Sequence, residues 1–185
     1  MGQVSEPAAV RVARTSRSAA ETRRLGERIG RLLAPGDVLA LCGELGAGKT
    51  QLARGICRGA GVPDGEVSSP TFAIVATYRG RLPVNHADLY RLGDEDELHA
   101  TGFHDLVGRV GATVVEWADR FPGALPRERL EIRLAHVPGH PSARRLVISG
   151  YGERHAGLAR ALACPTTRSR APPSPSWRPT AVDSS

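Results

Sequence analysis

The residues best suited to chemistry in this chain lie between positions 43 and 50, where the sequence reads GELGAGKT. Its three glycines allow successive backbone N–H groups to converge on an anion, because no Cβ stands in the way. Lys49 adds a compact cation for phosphate oxygens, and the hydroxyl of Thr50 is a ligand for Mg²⁺. This spacing is that of the P-loop, which holds the phosphates of a nucleotide. The sequence therefore predicts that the segment binds ATP together with Mg²⁺.

The whole loop and the residue after it are expected to contact the nucleotide. The predicted ATP-binding residues in this stretch are Gly43, Glu44, Leu45, Gly46, Ala47, Gly48, Lys49, Thr50 and Gln51. Lys49 is the sole lysine among 25 basic residues, which indicates that this position requires a slim ammonium rather than a broad guanidinium. The side chain of Glu44 is expected to face solvent or to act as a cap, since a carboxylate aimed at phosphate would repel it.

Two carboxylates are candidates for holding Mg²⁺ beside the loop. Asp88 and Glu116 each end a predicted strand. A P-loop ATPase needs a carboxylate at the end of a neighbouring strand to hold the metal, directly or through water. We therefore expect Thr50, Asp88 and Glu116 to serve Mg²⁺, and Lys49, Asp88 and Glu116 to be the catalytic residues. Which of the two carboxylates contacts the metal directly stays open.

Two aromatic side chains stand next to these carboxylates. His86 precedes Asp88 by two positions, so the two residues share one face of a strand. Orientation of Asp88, contact with the nucleotide and simple packing are all consistent with that position. Trp117 follows Glu116, and packing in the core is favoured over stacking on a base.

The segment Ser68–Phe72 reads SSPTF and combines hydroxyls with a proline that forces Ser69 into an extended conformation. In a P-loop protein such a segment is typical of a switch that senses the γ-phosphate. A hydroxyl of this segment is therefore a candidate for contact with the γ-phosphate. A plain turn is the alternative.

The elements that must position these residues alternate between strands and helices. Strands are predicted at Val10–Arg14, Asp37–Cys42, Thr71–Tyr78, Leu82–Leu89, Ala112–Glu116, Leu130–Leu134 and Arg145–Ser149. Helices are predicted from Ser16 or Ser18 to Leu33, over Lys49–Gly59, from Asp94 onwards and over Glu153–Ala163. Such alternation predicts an α/β protein, the three-layer P-loop NTPase fold with a mostly parallel central sheet. Residues 1–163 should form this one domain, and the tail 164–185, rich in Pro, Ser, Thr and Arg, should be disordered.

Composition narrows the classes of partner. The net charge of +6 permits an acidic partner, but the arginines are dispersed and only 4% of residues are aromatic, which disfavours a nucleic-acid-binding stripe. The apolar runs are far too short to span a membrane, so no membrane association is expected. The three cysteines form no close pair, and we expect a reducing, cytoplasmic location.

Four motifs, in their order and spacing, resemble the TsaE (YjeE) family of P-loop ATPases. They are GELGAGKT at Gly43–Thr50, SSPTF at Ser68–Phe72, HADLYRL at His86–Leu92 and VVEWADR at Val114–Arg120. The likeness runs from the predicted first helix to about residue 160. Two departures are Glu44, where the family often has Asp, and Asn85, where an aromatic residue is frequent.

The resemblance implies a cytosolic ATPase of bacterial tRNA threonylcarbamoyladenosine synthesis, slow in isolation, that binds the TsaB–TsaD pair. Its hydrolysis would sustain multiple turnover of that complex, and tRNA would be reached only through it. By position, the resemblance implies that Lys49 and the loop amides hold phosphate. It likewise assigns Thr50, Asp88 and Glu116 to Mg²⁺. It also places Ser69 and Thr71 in the switch, which adds them to the predicted nucleotide-binding residues.

Three alternatives stay open on the residues alone. The first is a small nucleotide or metabolite kinase, although that class usually brings a lid with clustered arginines. The second is a non-catalytic, nucleotide-gated interaction module in which ATP orders Ser68–Phe72 and little hydrolysis follows. The third is direct tRNA binding, which would weaken steeply with salt.

Overall fold

The computed structural model describes residues 10–67 and 74–163. Its strands are β1 (Val10–Ser16), β2 (Val38–Cys42), β3 (Val75–Tyr78), β4 (Val84–Asp88), β5 (Ala112–Glu116), β6 (Arg129–Val137) and β7 (His140–Tyr151). Its α-helices are α1 (Ala19–Leu32), α2 (Lys49–Gly59), α3 (Glu95–Ala100), α4 (Phe103–Leu106) and α5 (Gly152–Ala163). Two short 3₁₀ turns, Ala118–Arg120 and Pro122–Ala124, follow β5. The predicted tail 164–185 and the predicted switch residues Ser69 and Thr71 lie outside the described residues.

The seven strands form one sheet in the order β1-β7-β6-β2-β5-β4-β3. The four central strands β6, β2, β5 and β4 run parallel to one another, and the outer strands are antiparallel to their neighbours. Parallel strands must be covered on both faces. The prediction of an α/β fold with a mostly parallel centre is therefore confirmed.

The two faces of the sheet carry separate cores, as the alternation along β2 shows. Leu39 and Leu41 pack in one core with residues of α1, α2 and α5. Ala40 and Cys42 point to the opposite face, into a core with Leu98 of α3. All five residues of β2 are buried, which explains why this strand appears in the sequence as an unbroken apolar run.

Helices α1 and α2 pack against each other at unusually close range. A Cβ added at Gly55 of α2 would overlap the carbonyl oxygen of Arg23 in α1. A Cβ added at Gly30 of α1 would likewise overlap the carbonyl oxygen of Ile56 in α2. The remaining glycines of this contact are Gly26 and Gly59. The missing side chains let the two backbones touch, which fixes the position of α2 beneath the sheet.

Several boundaries differ from the predicted ones. Ser18, rather than Ser16, caps α1, because its side chain accepts a hydrogen bond from the backbone N–H of Glu21. Strand β4 begins at Val84, two residues later than predicted, because the preceding Pro83 has no N–H to donate to a ladder. Strands β6 and β7 are 9 and 12 residues long and form one antiparallel hairpin, longer than the two segments predicted there.

Within the described ranges, every helix is too short or too polar to cross a membrane.

Candidate functional site

The predicted P-loop connects the buried strand β2 to helix α2. Gly43, Gly46 and Gly48 have φ angles of 138°, 73° and 99°, a region that disfavours residues with a Cβ. A Cβ on Gly43 would also overlap the carbonyl oxygen of Leu134. No side chain caps the first turn of α2, and that turn contains no acidic residue. The positive end of the α2 dipole is thus directed at the loop, which suits an anion.

Lys49 begins α2 and is 4% exposed. Its Nζ donates to the carbonyl oxygens of Gly43 at 2.6 Å and Glu44 at 2.8 Å. The same atom lies 3.5 Å from the centroid of the Trp117 ring. Burial lowers the pKa of Lys49, while the charge of Glu116 acts in the opposite direction. The side chain of the sole lysine of the chain is therefore held by two carbonyl groups of the loop.

Glu116 ends β5 and is 1% exposed. Its Oε2 accepts a hydrogen bond from the hydroxyl of Thr50 at 2.8 Å. Its Oε1 lies 2.9 Å from Nε2 of His86, a fully buried side chain in the middle of β4. The structure thus brings together Thr50 and Glu116, two residues predicted from separate motifs.

Asp88 ends β4 and lies directly opposite Glu116 in the parallel β4–β5 register. It is 8% exposed, and its Oδ1 accepts a hydrogen bond from the backbone N–H of Tyr90 at 3.1 Å. Both predicted carboxylates therefore lie at the same edge of the sheet as the loop. This edge, at the carboxyl ends of the parallel strands, is where open α/β sheets bind ligands.

The structure changes the interpretation of His86. Its ring contacts the carboxylate of Glu116, whereas the shared strand face had suggested Asp88 as its partner. The reason is the register, in which His86 pairs with Val114 and therefore lies diagonally across from Glu116 on the same face of the sheet. Strand order and register are tertiary information that the spacing of two residues in one strand does not contain.

Trp117 is partly buried and packs against the core on the α3 side of the sheet. Its ring also lies 4.7 Å from that of Tyr90, between centroids, and covers the ammonium of Lys49. The residue adopts a left-handed backbone conformation with φ of 58°, which is uncommon for a side chain with a Cβ. Such strain is found preferentially at functional sites.

The remaining loop residues take up the expected surface positions. The side chains of Glu44 and Leu45 are exposed, Leu45 by 72%. Ala47 is fully buried beneath the loop. The side-chain oxygen of Gln51 accepts a hydrogen bond from Arg23 at 2.7 Å, which leaves its direct contact with a nucleotide a prediction.

Two contacts to the loop were missed by the sequence reasoning. Nη2 of Arg144 in β7 donates to the carbonyl oxygen of Gly46 at 3.1 Å. Nε2 of His136 in β6 lies 3.4 Å from the carbonyl oxygen of Leu45. Both come from the β6–β7 hairpin, and no local motif marks them. Beside them is an open depression of about 350 Å³, lined by Gln51 and Arg144 among others.

The oxygen groups near the loop fit Mg²⁺. Thr50, Asp88 and Glu116 offer a hydroxyl and two carboxylates, which are the hard ligands that this cation prefers. No three His, Cys, Asp or Glu side chains of residues 10–67 and 74–163 group closely enough to hold a metal by themselves. Mg²⁺ is usually held by one or two carboxylates together with substrate phosphates, so this donor set suits a metal shared with a nucleotide.

Comparison with known proteins gives a consistent result. The family model described as "Threonylcarbamoyl adenosine biosynthesis protein TsaE" matches residues 16–146. The tRNA threonylcarbamoyladenosine biosynthesis protein TsaE of Bacillus subtilis is 36% identical over 143 residues, covering 77% of this chain and 87% of that protein. The protein of the same name from Streptomyces coelicolor is 39% identical over 140 residues, covering 72% and 93%.

A solved structure agrees with these relatives. The crystal structure of Bacillus subtilis YdiB superposes with a TM-score of 0.68 at 28% identity, covering 85% of this chain and 97% of that chain. The family match includes the loop at 43–50 and the strand ends at Asp88 and Glu116. The chain therefore belongs to the TsaE family of threonylcarbamoyl adenosine biosynthesis proteins.

Proposed function

We propose that this chain binds ATP with Mg²⁺ and hydrolyses it in support of threonylcarbamoyl modification of tRNA adenosine. The observation that carries the proposal is the link between the loop and the sheet, in which Thr50 donates to the buried carboxylate of Glu116 at 2.8 Å. That bond joins the phosphate-binding segment to a carboxylate that could orient water. The family membership supplies the pathway.

Binding of the triphosphate would use groups that are already in position. The glycine-rich turn and the uncapped first turn of α2 present N–H groups and a positive dipole. Lys49 would exchange its bonds to two loop carbonyls for bonds to phosphate oxygens, which are stronger because both partners are charged. The depression beside Gln51 and Arg144 gives room for the rest of the nucleotide.

Hydrolysis would depend on positioning and electrostatics rather than on a covalent intermediate. Thr50, Asp88 and Glu116 would hold Mg²⁺, which neutralises developing charge on the phosphates when bound. Glu116 or Asp88 would orient an in-line water, and both are held at the strand ends by hydrogen bonds. Lys49 would stabilise charge on the phosphoryl oxygens.

The cellular setting is also a proposal. Members of the family are described as biosynthesis proteins of threonylcarbamoyl adenosine, and this supports TsaB and TsaD as partners in the cytoplasm. In that scheme ATP turnover sustains repeated cycles of the TsaB–TsaD complex, and tRNA is contacted only indirectly. Recovery of both proteins in an ATP- and Mg²⁺-dependent pull-down supports the scheme, and recovery of neither contradicts it.

The nucleotide-binding proposal is tested by calorimetric titration of Lys49→Ala with ATP and Mg²⁺. The expected result is loss of tight binding, because no other lysine can replace the ammonium. Glu153→Gln on the exposed side of α5 serves as a charge-neutralising control that should bind normally. Equal affinity of Lys49→Ala and the wild type would show that the loop does not bind phosphate. Transfer of phosphate to a nucleoside rather than to water would instead indicate a kinase.

A further inference from the structure

His86 makes one directional contact that packing alone does not require. The side chain is fully buried, with Nε2 2.9 Å from Oε1 of Glu116. Its Nδ1 has no hydrogen-bond partner among the residues that the structure describes. Burying a polar group is costly unless it is hydrogen-bonded, so an apolar residue would suit a site that only needed volume. The ring nitrogen that has a hydrogen-bond partner, Nε2, faces the carboxylate of Glu116.

The chemistry of the pair fixes the direction of this hydrogen bond. An ionised carboxylate can only accept hydrogen bonds, so Nε2 of His86 must be the donor. The imidazole is therefore held with Nε2–H toward Glu116. The direction of the bond makes His86 a hydrogen-bond donor that supports the carboxylate.

Glu116 consequently receives one donor on each oxygen. Thr50, at the start of α2, donates to Oε2, and His86, from the neighbouring strand, donates to Oε1. A glutamate side chain has several rotatable bonds, and two donors from separate elements select one orientation of its carboxylate plane. Loss of the Thr50 bond on metal binding would leave His86 as the support on the other oxygen.

We propose that His86 is a positioning residue that holds Glu116 in the orientation needed for ATP hydrolysis. The inference rests on the proposed ATPase function and adds to it a residue that acts through Glu116. Hydrogen-bond partners of metal-binding groups usually matter to activity, and their removal costs about 10- to 100-fold. The loss should fall on kcat, because His86 supports the carboxylate and not the loop that holds the phosphates.

The test compares three substitutions in the full-length chain. His86→Gln can place an amide N–H close to the position of Nε2, His86→Asn is too short to do so, and His86→Leu removes the donor. Phosphate release from ATP with Mg²⁺ is measured to give kcat and KM for each variant. Asn85→Ala is the matched control, since Asn85 lies on the same strand but donates to the carbonyls of Leu106 and Val110 on the opposite face.

The expected result is that His86→Asn and His86→Leu lose about 10- to 100-fold in kcat with KM for ATP little changed. His86→Gln should recover most of the wild-type kcat. Asn85→Ala should lower the melting temperature and leave kcat near that of the wild type. Melting curves recorded on all variants, with rates measured well below each transition, separate loss of fold from loss of positioning.

Other outcomes overturn the inference. If the kcat of His86→Gln falls as far as that of His86→Leu, the hydrogen bond to Glu116 does not support turnover. If the wild type hydrolyses ATP and Glu116→Gln abolishes turnover while His86→Asn keeps the wild-type kcat, the positioning role is wrong and the ATPase function stands. If the wild type releases no phosphate, the ATPase function is wrong and the positioning role falls with it.

Discussion

The ammonium of Lys49 lies 3.5 Å from the centroid of the Trp117 ring, so the residue after Glu116 covers the cation of the P-loop. Burial lowers the pKa of Lys49, and the charge of Glu116 acts in the opposite direction. The negative face of an aromatic ring also attracts a cation. The contact joins the end of β5 to the start of α2, as the Thr50–Glu116 bond also does. The site is thus held together by two short contacts between the same pair of elements.

This contact predicts that Trp117→Leu is less stable than Trp117→Phe. Both remove the indole, but only Phe keeps a ring over Lys49, and a cation–π contact contributes about 0.5–2 kcal/mol. Urea denaturation of the two variants measures the difference. As a control, Trp117→Leu and Trp117→Phe are also made in a Lys49→Met background. The difference between their free energies of unfolding should shrink there, because the cation is absent. Equal stabilities of the two variants in the wild-type background would contradict the interpretation.

Glu116→Gln is expected to retain ATP binding and to lose turnover by about 100-fold or more. In the proposed mechanism the loop and Lys49 would hold the phosphates, whereas the carboxylate would act on metal and water. Titration calorimetry and phosphate release measure the two properties separately. Unchanged turnover would remove Glu116 from the mechanism and leave Asp88 as the other predicted carboxylate at that sheet edge.

Gly55→Ala is expected to destabilise the fold by about 1–3 kcal/mol, although alanine is the better helix former. The added Cβ would overlap the carbonyl oxygen of Arg23, and both atoms belong to helices that cannot easily separate. Gly157→Ala is the matched control in α5, where a Cβ would meet nothing within 4 Å. That variant should gain about 0.5–1 kcal/mol. Thermal unfolding measures the stability of both variants relative to the wild type. A Gly55→Ala variant more stable than the wild type would disprove the close helix contact.

His155 predicts a pH dependence of stability. Burial lowers its pKa below the ordinary value of 6.5, and the charge of Arg154 lowers it further, while Asp37 acts in the opposite direction. The unfolded chain therefore takes up a proton near pH 6.5 that the folded chain binds only at lower pH. Stability from this group is fully present above pH 6.5 and is lost as the pH falls toward the folded pKa.

The measurement is the free energy of unfolding in urea for wild type and His155→Leu at several pH values from about 7.5 to 5.5. The wild type should lose more stability than the variant on acidification, and the contributions of the other histidines cancel in the comparison. Equal losses of stability in the two proteins between these pH values would contradict a lowered pKa of His155 in the folded state.

Local patterns were sufficient to predict the part of the site that is continuous in sequence. The apolar run of β2, the glycine spacing and the helix after it predicted the loop, since each lies within a few residues of the next. Asp88 and Glu116 were found because each ends a strand and parallel strands end at a common edge. In the structure the two residues are direct partners in the β4–β5 register.

The contacts that were missed depend on which strands become neighbours. His86 was associated with Asp88 because the two share a strand, whereas the β4–β5 register gives it Glu116 as a partner. Arg144 reaches the loop from a hairpin about 100 residues further along the chain, and its single bond to Gly46 leaves no local pattern. Side-chain partners across strands are set by the folded sheet and not by sequence spacing.

The backbone-to-backbone joint between α1 and α2 has a mechanical consequence. Contacts made by side chains can adjust through changes of rotamer. The contact between these two helices is made by backbone atoms at glycines, which have no side chain to adjust. A displacement of α1 would therefore move α2 as a rigid body, including the backbone amide groups of its first turn. A protein bound to α1 would therefore shift the first turn of α2 and the loop before it without contacting either of them.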